Sequence, residues 1–116
     1  MLNRAAIILR YKEPAIRWIN EADPVHDDPG ISAADVNTER TVYLISDDDG
    51  DSQEAVERWI RRNWKEIFEQ ELMGWYTVPF LWPKKRTLKL FREWFDVECH
   101  TCLVDTVGGE FVEDGL

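Results

Sequence analysis

An α+β fold, a mixed sheet of three or four strands packed with three main helices, is what the apolar patterning of this 116-residue chain predicts. Three observations carry that expectation. The run Ala5-Ala6-Ile7-Ile8-Leu9 is apolar on both alternating faces, as in a central strand covered on both sides. Thr41-Val42-Tyr43-Leu44-Ile45 is β-branched and aromatic, the composition of a second strand. Val56, Trp59, Ile60, Trp64, Ile67, Phe68 and Leu72 recur three and four apart, the inward stripe of a long helix over about 52–73.

The remaining elements fall between these. Glu13-Pro14 opens a first helix, because proline in the first turn gives up an N–H that would have no helical partner. Ile16, Ile19 and Trp18 supply its inner face, and Asp23-Pro24 ends it. Residues 23–31 then read as an irregular acidic loop. Ser32 with Asp35 has the spacing to cap a short helical turn before Arg40. Asp51 or Ser52 caps the long helix, with Glu54 near the positive end of its dipole, and Gly74 stops it. A third helix over about 87–96 buries Leu88, Phe91, Trp94 and Phe95. A third strand follows over about 98–106, and Gly108-Gly109 offers a hairpin turn into an edge strand at Glu110-Phe111-Val112. The expected order is β-α-(short α)-β-α-α-β-(β) in a single domain spanning 1–116, without internal repeats.

Composition narrows the function classes. The formal charge is −9, from 23 acidic and 14 basic residues, so nucleic acid is not expected as a partner; phosphate-backbone affinity needs clustered cationic charge. The short apolar start ends at Arg10 and Lys12, and no run approaches the roughly 20 apolar residues that span a membrane. Two cysteines do not make a disulfide framework, which implies a reducing, cytoplasmic setting.

Several constellations look like chemistry and read better as structure. Cys99-His100-Thr101-Cys102 contains C-x-x-C, yet Leu103-Val104 continue as a strand. Strand geometry would point the two side chains to opposite faces with their α-carbons about 10 Å apart, beyond the roughly 7 Å a disulfide allows. The turn Asp47–Asp51 would need calcium ligands at Ile45 and Val56, which cannot supply them, so it reads as helix capping and a solvated turn. Asp23, His26, Asp27 and Asp28 gather carboxylates around an imidazole, but between two prolines in a loop. No nucleophile elbow, phosphate loop or dinucleotide fingerprint occurs, and no cofactor or metal is expected.

One segment breaks a local rule. Lys84, Lys85 and Arg86 precede the third helix while Glu93 and Asp96 lie at its end, so charge runs against the helix dipole. With Tyr76 and Trp82 they form the candidate contact for an anion or a partner, through cation–π and charge-assisted bonds. The competing account is intramolecular pairing with the abundant acids, with the rings in the core.

The pattern Trp64…Glu71-Leu72…Trp75, then Leu81-Trp82-Pro83…Arg86-Thr87…Phe91…Trp94-Phe95, resembles a family of small acidic uncharacterised bacterial proteins. Thr41–Ile45 resembles it as well. The resemblance implies a bacterial cytoplasmic protein and brings no catalytic residues. The expected function is a non-enzymatic binding or interaction protein, self-associating or binding a protein partner through exposed aromatic surface. One alternative is a small enzyme whose anionic substrate is held by Lys84, Lys85 and Arg86, with His26 or His100 as general acid or base. The other is an acidic inhibitor of a basic protein.

Overall fold

The computed structural model describes residues 1–23 and 30–113. Its elements are β1 (Arg4–Tyr11), α1 (Glu13–Glu21), α2 (Ala33–Val36), β2 (Val42–Ser46), α3 (Gln53–Trp75), a 3-10 turn (Pro79–Leu81), α4 (Leu88–Trp94) and β3 (Phe95–His100). They form an α+β domain with the three main helices expected. No helix among the described residues is long and apolar enough to cross a membrane.

The sheet is wholly antiparallel rather than mixed. Its order is β2-β1-β3, with β1 antiparallel to both neighbours. The two outer strands run the same way, but β1 lies between them, so no parallel pair forms. A fourth strand is also absent among the described residues: Phe111–Glu113 are irregular and exposed. The third strand starts earlier and is shorter than its apolar run suggests, because pairing with β1 governs it. Phe95 already pairs with Tyr11, and His100 is the last partner, opposite Ala6. One further bond, Leu2 N–H to the Leu103 carbonyl at 2.8 Å, holds the chain beyond it.

The register decides which side chains meet. Ala5, Ile7, Leu9 and Tyr11 face the same side as Tyr43, Ile45, Val97 and Phe95, since directly paired residues share a face. That side packs on Ile60, Ile67, Phe68 and Leu72 of α3. The other face carries Ala6, Ile8, Val42 and Leu44, and Val42 and Leu44 remain 52% and 53% exposed. Cover on both faces, expected from the apolar run of β1, is therefore incomplete. Antiparallel sheets tolerate one wet face, which parallel ones do not.

Aromatic rings close the interior. Phe68 meets Phe91, Trp94 and Phe95 with centroids 5.8, 5.4 and 5.5 Å apart, inside the range of edge-on packing. Trp18 of α1 joins them through Trp94 at 5.4 Å. The helix starts follow their caps. Ser32, Ser52 and Thr87 each accept a backbone N–H three residues on, from Asp35, Ala55 and Leu90.

Between β2 and α3 the turn presses against β1. Gly50 is buried there, and a β-carbon on it would lie 2.5 Å from the Ala5 β-carbon, below any real contact distance. Ala5 is itself fully buried and has nowhere to move. Gly50→Ala is therefore expected to lower stability by about 1–3 kcal/mol in urea denaturation. An unchanged midpoint would mean the turn is looser than its packing implies.

Candidate functional site

Two places bring polar and aromatic chemistry together. The first is the knuckle between α3 and α4, which holds the residues singled out in the sequence. Tyr76 donates its hydroxyl to the Ile19 carbonyl, and burial, then the Asp23 carboxylate, raise the phenol pKa. Trp82 is buried and donates its indole N–H to the Tyr76 carbonyl at 2.7 Å. Trp18 reaches across from α1 and donates to the Leu81 carbonyl at 2.9 Å. These bonds pin the bend to the body of the domain.

The three cations of the knuckle have different fates. Arg86 lies 5.6 Å over the Trp82 ring, donates to the Pro83 carbonyl at 2.9 Å and pairs with Glu69 of α3 at 3.5 Å. Its Nε is buried without a hydrogen-bond partner. Lys84 is exposed and sits 4.9 Å over the ring of Phe80, which is 76% exposed. Lys85 is exposed as well. Arg86 therefore ties the knuckle to α3, and the dipole conflict at α4 is relieved by Glu69 and by the Thr87 cap.

The second place was not singled out in the sequence. Glu71, near the end of α3, is only 8% exposed. Its carboxylate accepts hydrogen bonds from the phenols of Tyr11 on β1, at 2.8 Å, and Tyr43 on β2. Tyr11 in turn accepts the indole N–H of Trp75 at 3.0 Å. Every proton in this chain points toward Glu71: indole to phenol, phenol to carboxylate. Burial, with the Glu71 charge and its hydrogen bonds, pushes both phenol pKa values far above the ordinary tyrosine range. A cavity of about 160 Å³ opens over this group, with Tyr11, Trp75, Glu39 and Gln70 in its walls.

The signal for this site lay in the helical spacing. Position 71 continues the stripe of Ile60, Trp64, Ile67 and Phe68, so a carboxylate there points inward and must find partners. Tyr11 continues the odd-numbered face of β1, and Tyr43 sits opposite Ile7.

The other candidates lie apart from both places. Cys99 is half-buried in β3, where burial raises its thiol pKa, and Cys102 is exposed past the strand end; both are free thiols. The turn at Asp47–Asp51 binds itself: Asp49 accepts from Ser46 at 2.9 Å and pairs with Arg62 at 3.2 Å. His100 ends β3, exposed and 3.9 Å from Glu98. His26, Asp27 and Asp28 lie outside the described residues. Among the described residues, no three His, Cys, Asp or Glu side chains are placed to share a metal ion. No protein-family model, curated protein or solved structure matches the chain.

The clamp on Glu71 sets a pH dependence. Tyr11 and Tyr43 stay protonated in the folded state at pH values where the unfolded chain ionises them, above about 10. Their contribution is complete below that pH and falls as pH rises through it, by about 1.4 kcal/mol per pH unit for each tyrosine held neutral. Urea midpoints measured between pH 9 and 11 should fall steeply for the native chain. They should fall less for Tyr11→Phe and least for the double variant Tyr11→Phe/Tyr43→Phe. Equal slopes in all three would remove the tyrosines from the account.

Proposed function

We propose that this chain is a non-enzymatic interaction protein that docks through the knuckle at Pro79–Arg86. The observation that carries the reading is Phe80: a large aromatic left 76% exposed at the tip of a turn that is otherwise firmly held. Trp18, Tyr76 and Trp82 fasten the backbone on both sides of it. An aromatic displayed on a fixed turn loses little freedom on binding, which is how a few residues come to dominate an interface. Val78 is also exposed and extends the apolar tip, and Lys84 and Lys85 give it a basic rim.

In this reading Tyr76, Trp82 and Arg86 build the knuckle, while Phe80, Lys84 and Lys85 touch the partner. A basic rim around an apolar tip fits an acidic face with an apolar hollow. A chain of formal charge −9 offers such acidic surface itself, so the partner we assign is a second copy of the chain. The two free thiols, Cys99 and Cys102, fit a reducing compartment such as the cytoplasm.

Sedimentation velocity over a range of concentrations tests the reading. The native chain should associate reversibly, less strongly as salt rises. Phe80→Ser, which removes an exposed ring and leaves the core untouched, should shift the chain to monomer with an unchanged circular dichroism spectrum. A native chain that remains monomeric up to about 1 mM, the weak limit of specific association, would overturn self-association.

A further inference from the structure

We propose that the cavity over Glu71 is a binding site for a compact organic ammonium ion. The inference does not depend on the knuckle. It starts from charge: a carboxylate that is more than nine-tenths buried is normally paired with a cation. Glu71 has hydrogen-bond donors, Tyr11 and Tyr43, but no ion pair reaches it among the described residues. Because both phenols donate, and Trp75 donates to Tyr11, the group presents acceptor oxygen and negative charge toward the cavity.

The walls reinforce that sign. Glu39 brings a second carboxylate, and no lysine or arginine lines the cavity. A neighbouring hollow shares Glu39 and Trp75 and adds Asp35, again without a cation in its lining. Tyr11 and Trp75 add aromatic surface, whose negative faces attract ammonium groups. An anion would be repelled here, and a neutral apolar molecule would leave the carboxylate without its countercharge. The volume of about 160 Å³ suits one compact group, since a cavity of about 150 Å³ accommodates benzene. A primary alkylammonium fits both size and charge. It can come from a free amine or from the tip of a lysine side chain.

The test is titration of the ¹⁵N-labelled chain with n-butylammonium chloride, with n-butanol as the neutral counterpart and Nα-acetyl-lysine-N-methylamide as the lysine side chain. Saturable shifts of the Trp75 indole N–H are expected with the ammonium compounds and not with butanol. Tighter binding of the lysine compound than of butylammonium assigns the site to a protein side chain, and the reverse order assigns it to a free amine. Glu71→Gln should weaken binding about tenfold or more, the loss of one charge-assisted contact. Glu39→Gln, at an exposed position that leaves the clamp intact, should weaken it several-fold. The proposal is overturned if no ammonium compound saturates the signal, if butanol shifts it equally, or if Glu39→Gln and Glu71→Gln both bind as the native chain does.

Discussion

The buried carboxylate of Glu71, held by phenols from two strands, is the constraint on which the arrangement of this domain depends. A 23-residue helix is about 34 Å long, and apolar contacts, being non-directional, leave it some freedom of placement over a sheet. An ionised group inside the interface removes that freedom. Removing a carboxylate from water costs several kcal/mol unless its lone pairs are satisfied. Tyr11 and Tyr43 each occupy one acceptor site, one per oxygen, in the observed register, with Tyr43 opposite Ile7 and Tyr11 at the far end of β1. A helix shifted by one turn would leave Glu71 among apolar rings. The clamp therefore selects one packing of α3 on the sheet, a role buried polar groups fill in some proteins.

The knuckle follows the same economy with different residues. Its aromatic side chains are amphipathic, and each polar tip finds a carbonyl, in the bend itself or in the last turn of α1. Trp82 closes on Tyr76, Trp18 on Leu81, and Tyr76 on Ile19. The ring bodies go inward; the two indole N–H groups take up carbonyls of the bend, and the Tyr76 hydroxyl takes up one near the end of α1. Phe80 has no polar tip to spend, and it is the ring that remains outside.

Much of the fold was legible in the sequence for local reasons. The stripe from Val56 to Leu72 predicted α3, and Ser32 and the Asp51-Ser52 pair read as helix starts because a capping oxygen acts within three residues. Strand direction was not legible, nor was the choice between three strands and four. Antiparallel pairing on both sides of β1, and the want of a partner for residues 110–113, are decided by distant segments. The site divided in the same way. Charge reversal at Lys84–Arg86 is visible in a few neighbouring residues and drew attention to the knuckle. Glu71 lies 60 positions from Tyr11 and 28 from Tyr43, and the three meet only through the pairing of β1 with β2 and the packing of α3 on the sheet. A carboxylate in an apolar stripe was the one local trace of that meeting.

A double-mutant cycle on Tyr11→Phe and Glu71→Gln measures the clamp most directly, because it isolates the interaction between the two side chains from the cost of altering either one. Urea denaturation of the native chain, the two single variants and the double variant supplies the four free energies. A coupling of about 1–3 kcal/mol is expected for a buried hydrogen bond to a charged group. A coupling within about 0.3 kcal/mol of zero would mean that the tyrosine and the carboxylate act independently, and that something other than this interaction orients α3 on the sheet.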